Sequence, residues 1–256
     1  MGLPSRVALV VPCFNERARL PVSAFCGAQL PGGQLELIFV NDGSTDGTGA
    51  VLEQVRAERA ENTAIVSYDQ NEGKAEAVRR GVLHALTRMP DAIGFWDADL
   101  ATPLTELAAF VDVLDNPAID IVIGSRVKLM GRTVERHAWR HYLGRVFATG
   151  ASVALGLPVY DTQCGAKLFR VTPVLERIFA QPFIARWVFD VEILARFLAL
   201  HPGGAAAAAR SVYELPLKTW IDVHGSKVKV TDATRAAVDL ARIRRAYRRA
   251  CDPGRR

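Results

Sequence analysis

The chain has 256 residues, half of them hydrophobic and 23% charged, with a formal net charge of +5. That size and composition fit one globular domain with a substantial core, and exclude a disordered, fibrous or disulfide-dense chain. Four cysteines (Cys13, Cys26, Cys164, Cys251) without CxxC or zinc spacing predict reduced thiols in a cytosolic protein. Residues 1–6 are too short and polar for a targeting segment, and no apolar stretch is long enough to span a bilayer.

In chain order, the first half alternates β-rich runs with helical patterns. Val7–Val11, Leu35–Val40, Ala64–Tyr68, Ala92–Trp96 and Ile119–Gly124 read as buried strands. Thr45–Arg59, Lys74–Thr87 and Pro103–Leu114 read as helices, the first capped by Thr45 or Asp46, the third opened by Thr102-Pro103. Repeated β–α–β units imply an α/β fold, a mostly parallel central sheet with helices on both faces. The second half is less regular. Trp139–Leu157 is predicted as an apolar helix with a basic start, Gly165–Val171 as a strand, Trp187–Leu200 as a helix, Gly203–Ala209 as a loop, and Val212–Trp220 as one strand. Val230–Arg249 is predicted as a basic amphipathic helix. The expected division is a catalytic domain over 1–229 and a basic C-terminal helix and tail over 230–256.

In sheets of this kind ligands sit beyond the carboxyl ends of the strands. Each predicted strand ends there in polar, turn-forming residues: Pro12-Cys13-Phe14-Asn15-Glu16, Asn41-Asp42-Gly43-Ser44, Asn71-Glu72-Gly73-Lys74, Asp97-Ala98-Asp99 and Gly124-Ser125-Arg126. One shared site is expected. Two carboxylates one residue apart, Asp97 and Asp99, suit a divalent cation such as Mg²⁺ or Mn²⁺ that bridges a diphosphate. A solvated turn would read the same way if the pair stood alone. Asp42 precedes the helix start by too much to cap it, and is placed to accept from a base or ribose. Phe14 offers an aromatic edge to a base, and Glu16 a carboxylate to a ribose hydroxyl.

Taken in order, Val10-Val11-Pro12-Cys13-Phe14-Asn15-Glu16, Asn41 to Thr48, Asn71-Glu72-Gly73-Lys74-Ala75 and Asp97-Ala98-Asp99 resemble the inverting family-2 glycosyltransferases, with their nucleotide-diphospho-sugar transferase (GT-A-like) fold. Further on, Gly124-Ser125-Arg126, Asp161-Thr162-Gln163-Cys164-Gly165-Ala166-Lys167-Leu168-Phe169, Arg186 to Glu192 and Gly225-Ser226-Lys227 resemble the polyprenyl-phosphate glycosyltransferases. The dolichyl-phosphate β-glucosyltransferase branch is the nearest, and its usual donor is UDP-glucose. The resemblance runs from about Val7 to about Arg244.

Residue by residue, the resemblance implies that Pro12, Phe14, Glu16 and Asp42 form the base and ribose pocket and that Lys74 lies near the nucleotide. It implies that Asp97, with Ala98 between the carboxylates, contacts the nucleotide-sugar, and that Asp99 is the metal ligand. Arg126 then binds phosphate and Lys227 lies at the acceptor phosphate, with Arg132, Arg136 and Arg140 as further cations. The chain departs from the family at Phe14, usually tyrosine, at Asn41, usually aspartate, and at Ala101, where mannosyl members often carry glutamine.

A lipid phosphate is mostly a dianion near neutral pH and needs no general base to attack. A hydroxyl acceptor would need one, and Asp161, Asp190 and Glu192 are the candidates. Asp161 alternatively positions the donor sugar, and Asp190 and Glu192 alternatively complement a helix dipole. Trp139, Trp187 and Trp220 are expected as packing. The basic tail suits an anionic membrane surface, equally a solvated helix face. With no base-reading motif, nucleic acid is not expected as a partner. The expected enzyme is peripheral to the cytoplasmic membrane face.

Overall fold

The structure is a computed structural model that describes residues 4–135, 138–223 and 230–251, without the side chains of 135–143 and 230–234. Lys227 lies outside the described residues, as do Arg136, His137 and His224.

The first half follows the predicted order. Strands β1 (Arg6–Cys13), β2 (Gln34–Asp42), β3 (Thr63–Tyr68) and β4 (Ala92–Trp96) alternate with α1 (Val22–Cys26), α2 (Thr48–Glu58) and α3 (Lys74–Thr87). A 3₁₀ turn at Leu104–Glu106 leads into α4 (Leu107–Leu114), and β5 (Ile121–Ser125) follows. Then come β6 (Thr133–Glu135), α5 (Ala138–Leu155), β7 (Ala166–Arg170), α6 (Pro173–Phe179), α7 (Phe189–Leu200), α8 (Gly204–Arg210), β8 (Val212–Pro216), β9 (Thr219–Ile221), α9 (Val230–Ala246) and α10 (Arg248–Cys251).

The central sheet has the order β3-β2-β1-β4-β7-β5-β8. Its strand pairs are parallel except at β7, which runs antiparallel to both β4 and β5. The alternation of each strand divides the core into two layers. Ala8, Val10, Ile38, Val40, Ile93 and Phe95 face α3, α6, α7 and the C-terminal helices. Val7, Leu9, Val11, Leu37, Phe39 and Trp96 face α1, α2 and α4. Helices therefore cover both faces, as a buried parallel sheet requires.

The second half corrects two expectations. Gly203–Ala209 is not a loop: residues from Gly204 onward form α8, where an alanine run has high helix propensity and Ala208 is fully buried. Val212–Trp220 is not one strand. β8 ends at Pro216, which has no N–H to donate, and β9 pairs with β6 in a separate two-stranded sheet. The break is fixed by the Glu106 carboxylate, which accepts from the Lys218 and Thr219 N–H groups at 3.1 and 3.0 Å.

The basic segment expected as one helix over Val230–Arg249 is α9, ending at Ala246, followed by α10, and its apolar side is part of the core. Ala236, Ile243 and Cys251 are buried against α5 and α7. The Tyr247 hydroxyl lies 3.1 Å from Arg196 Nε and 3.3 Å from Glu192 Oε1, and these two residues form a buried ion pair, Arg196 Nη2 to Glu192 Oε1 at 2.8 Å. The arginines at 235, 242, 244, 245, 248 and 249 point outward. No helix among the described residues is long and apolar enough to cross a membrane.

α3 packs unusually close to the sheet. A Cβ at Gly81 would lie 2.3 Å from Val10 Cγ1 and 2.9 Å from Val40 Cγ2. Helix propensity favours alanine over glycine by about 1 kcal/mol, whereas forcing a methyl into a packed core costs about 1–3 kcal/mol. The overlap with two stiff β-branched side chains decides the sign. Gly81→Ala is expected to lower Tm by a few degrees in a thermal melt, against the gain that an exposed helical glycine would show.

Candidate active site

The carboxyl ends of β1, β2, β4 and β5 open on one cleft of about 850 Å³. It is lined by Pro12, Phe14, Glu16, Asp42, Lys74, Asp97, Ala98, Asp99, Arg126, Asp161 and Asp190, which the fold thus brings together, whereas Glu192 and Arg132 lie outside it. The 161–165 segment joins them because β7 is antiparallel. Its start, Ala166, is paired with Trp96 at the end of β4.

The Asp97-Ala98-Asp99 turn is held by its backbone. Asp97 N–H donates to the Gly165 carbonyl at 3.0 Å, Leu100 N–H to the Asp97 carbonyl at 3.1 Å, and Ala101 N–H to Asp99 Oδ1 at 3.1 Å. Leu100 adopts the left-handed region with φ 49°, which reverses the chain directly after the second carboxylate. A Cβ at Gly165 would come 1.8 Å from Asp97 Oδ2, so only glycine allows the carboxylate its position.

Charges in the cleft are set in opposite pairs. Lys74 Nζ, at the start of α3, lies 2.5 Å from Asp97 Oδ1. Arg19 lies 2.5 Å from Glu16 and 3.8 Å from Asp99. The Arg126 guanidinium donates to both oxygens of Asp161 at 2.7 Å, and its backbone N–H to Asp161 Oδ2 at 3.1 Å. Beneath them Lys167 Nζ, fully buried, lies 2.5 Å from Asp190 Oδ1 and donates to the Cys164 carbonyl at 2.6 Å. Removing one partner of such a buried pair costs about 3–5 kcal/mol, because the other charge is stranded.

These pairs act on protonation. Burial pushes the Asp99 carboxyl above the usual carboxylate range, and the Asp97 charge adds to that; the Ala101 N–H, Arg19 and Lys74 pull the other way. Enclosure alone would lower Lys74, but the charges of Asp97 and Asp190 outweigh it and hold the ammonium above its ordinary value. Burial likewise works against Arg126, and Asp161 overrides it. Cys164 is no nucleophile: burial, then Asp161, pushes its thiol up to about 11.

Asp42 serves the cleft through a loop. Its carboxylate accepts from the Glu72 N–H at 2.9 Å, the Gly73 N–H at 2.8 Å and Asn71 Nδ2 at 2.9 Å. It thereby fixes the turn that delivers Lys74. The β1 turn is latched to the next loop in a similar way. Asn15, with φ 53°, accepts from the Thr45 N–H at Oδ1 at 2.9 Å and donates its own N–H to Ser44 Oγ at 3.0 Å. Asp46 does meet the start of α2, accepting from the Thr48 N–H at 2.9 Å.

Several functional positions escape the motifs. Arg19 bridges two cleft carboxylates and is signalled only by its spacing of three from Glu16. Lys167 sits inside a quoted motif, but its burial under Asp190 is a tertiary fact. Glu214 accepts from the Tyr160 and Asp161 N–H groups at 2.8–2.9 Å and so sets the segment that carries Asp161. Trp187, expected as packing, is 41% exposed and lines the cleft, edge-on to Phe147. Trp220 is buried as expected, but it also lines the cleft, under Arg126 at 5.4 Å. Glu192 does not line the cleft and pairs with Arg196. Arg132 turns to the Pro216 carbonyl.

Residues 8–177 match the model of glycosyl transferase family 2. The chain belongs to that family. It is 30% identical over 265 residues to the dolichyl-phosphate beta-glucosyltransferase of Saccharomyces cerevisiae, covering 94% of this chain and 75% of that one. The Drosophila melanogaster protein of the same name is 32% identical, over 87% of this chain and 69% of its own. A polyprenol monophosphomannose synthase of Mycolicibacterium smegmatis is 30% identical over 68% of this chain and 64% of its own. Among solved structures, glucosyl-3-phosphoglycerate synthase from Mycobacterium tuberculosis, in complex with Mn²⁺, UDP and glucosyl-3-phosphoglycerate, has a TM-score of 0.68 at 16% identity. It covers 98% of this chain and 82% of that one, and it establishes the GT-A-like fold.

A divalent cation such as the Mn²⁺ in the glucosyl-3-phosphoglycerate synthase structure would find suitable donors among the residues present. Asp97 and Asp99 supply hard oxygen donors from one rigid turn. That is the donor set of an ion such as Mg²⁺, which takes one or two carboxylates and completes its shell with phosphate oxygens and water.

Because Asp99 holds its proton more tightly when folded than when unfolded, its own contribution to the stability of the metal-free protein falls as pH rises above the ordinary aspartate value of about 3.9. In chelator, Asp99→Asn is expected to raise Tm at pH 7. The gain should shrink as pH is lowered and vanish below that value, as read in melts across a pH series.

Proposed function

We propose that the protein transfers a hexose with inversion, glucose from UDP-glucose, onto a polyprenyl or dolichyl phosphate at the cytoplasmic face of the membrane. The observation that carries this reading is the state of the cleft's carboxylates. A hydroxyl acceptor needs a carboxylate free to take its proton, yet Asp161 is gripped on both oxygens by Arg126 and Asp190 is held by Lys167. A phosphate monoester needs none, since it arrives as a dianion. What it needs is cationic donors to seat it and a place for the leaving diphosphate.

In this reading Pro12, Phe14 and Glu16 line the nucleoside pocket, and Asp42 keeps the loop of Lys74 in place. Lys74 stands at the diphosphate, its charge balanced by Asp97 until donor binds. Asp99, with Asp97 beside it, would hold Mg²⁺ or Mn²⁺, which when bound neutralises charge on the leaving diphosphate. Asp161 orients Arg126 towards phosphate, and Asp190, steadied by Lys167, faces the donor sugar. Lys227 belongs to the acceptor-phosphate region on the strength of the family resemblance. The similarity to dolichyl-phosphate beta-glucosyltransferases supports glucose and a lipid phosphate. The similarity to the mannose synthase supports GDP-mannose as the competing donor.

The deciding assay incubates the protein with Mg²⁺ or Mn²⁺, a polyprenyl phosphate and labelled UDP-glucose, GDP-mannose or UDP-N-acetylglucosamine. Label is expected in the organic phase from UDP-glucose, dependent on metal and reduced roughly 10²-fold or more by Asp99→Asn. Label from GDP-mannose alone would replace the sugar; label from no donor would refute a lipid phosphate acceptor.

The division into a catalytic domain, 1–229, and a basic segment, 230–256, carries a second part of the proposal: the outward arginines of α9 and α10 rest on anionic headgroups. Each basic residue near such a surface contributes about 1 kcal/mol. The triple change Arg242→Glu, Arg245→Glu and Arg249→Glu should therefore weaken sedimentation with phosphatidylserine vesicles by more than about tenfold, while Tm holds. Unchanged sedimentation at low salt would discard membrane contact through these helices.

A further inference from the structure

The cleft is chemically divided. One half, at the strand ends, carries the ionic pairs described above. The other half lies between α5 and α9 and is walled by Phe147, Gly150, Trp187, Ala236, Ala237 and Leu240. Charged sugar nucleotides have no use for that second half, and in water its apolar walls are costly to leave open.

Arg145, on α5, stands at the boundary. It lines the cleft, and its guanidinium stacks 3.8 Å above the Tyr160 ring, immediately before Asp161. Stacking on the ring fixes the plane of the guanidinium without using its N–H groups. Its Nη1 is buried and, among the described residues, has no hydrogen-bond partner. A buried guanidinium donor left unmade is expensive, and such a group commonly marks a ligand position. Arg126 differs: its Nε and Nη2 are both committed to Asp161. The Glu214 carboxylate nearby is taken up by the Tyr160 and Asp161 N–H groups.

We propose that Arg145 seats the phosphate of an amphiphilic acceptor, and that the α5–α9 groove receives the first hydrocarbon units attached to it. This rests on the reading of the site as a lipid-phosphate transferase, and it adds the residue and the surface that select such an acceptor. A dianion at Arg145 satisfies the orphaned donor in a charge-assisted bond. The chain leaving that phosphate enters an apolar wall instead of water. Gly150 sets the width: a Cβ there would already touch Leu240 Cδ1 at 3.6 Å, so a larger side chain closes the groove.

The test measures steady-state transfer to a long-chain polyprenyl phosphate and to prenyl phosphate, for wild type, Arg145→Met, Arg145→Lys and Gly150→Leu. Loss of one charge-assisted contact corresponds to about tenfold or more. Arg145→Met is expected to raise KM for both acceptors by at least that factor with the donor KM unchanged, and Arg145→Lys to recover part of it. Gly150→Leu is expected to raise KM for the long chain by a larger factor than for prenyl phosphate, which places only one unit in the groove. Should Arg145→Met fail to fold, Arg145→Lys and Gly150→Leu carry the same contrast. Unchanged acceptor KM in these variants, or an equal rise in the donor KM, overturns this inference while wild-type activity keeps the proposed reaction. Absence of wild-type transfer to any lipid phosphate overturns both.

Discussion

The site depends on one reversed strand. β7 lies antiparallel between β4 and β5, so its first residues, not its last, reach the catalytic edge of a parallel sheet. That reversal puts the Gly165 carbonyl on the Asp97 N–H and Asp161 on Arg126 at the end of β5. It also places Lys167, one step into the strand, beneath the cleft and against Asp190. Without it the carboxylate turn after β4 would have no wall opposite. Gly165 is the tightest point of this arrangement, since a methyl group there would occupy the space of the Asp97 carboxylate.

The second principle of the cleft is charge neutrality by pairs. Isolated charges are costly to enclose, and each cleft cation described here has an acid close by: Lys74 with Asp97, Arg19 with Glu16, Arg126 with Asp161, Lys167 with Asp190. The pairs hold side chains in one rotamer before any ligand arrives, which is preorganisation for a diphosphate. Arg145 is held differently: the Glu214 charge is near it, but the Glu214 oxygens are bonded to backbone N–H groups. Its guanidinium is steadied by an aromatic ring and keeps a donor to spare.

The C-terminal helices belong to the same logic of enclosure. Glu192 and Arg196 form a buried pair on α7, and Arg196 also donates to the Ile178, Gln181 and Pro182 carbonyls. Glu192 accepts from the Ala185 N–H. This network shapes the loop that carries Arg186 and Trp187 to the cleft, and Tyr247 ties α9 to it. The wall of the apolar half is thus positioned by a polar knot well away from it.

The sequence by itself determined the βαβ order, the polar strand ends and the family. Local patterns are enough for these, because strand alternation, turn residues and helix spacing are short-range properties. It also placed Asp97, Asp99, Arg126, Asp161 and Asp190 on a common list, and the fold gathers them in one cleft. Tertiary structure alone decided what those groups touch. Asp42 spends its oxygens on a loop, Trp187 faces the cleft instead of the core, and Val212–Trp220 breaks where Glu106, more than a hundred residues earlier, captures two backbone N–H groups. The polyalanine segment became α8 because α7 offers it a surface to bury against. Pairing, burial and strand direction are long-range quantities, and no window of the chain contains both partners.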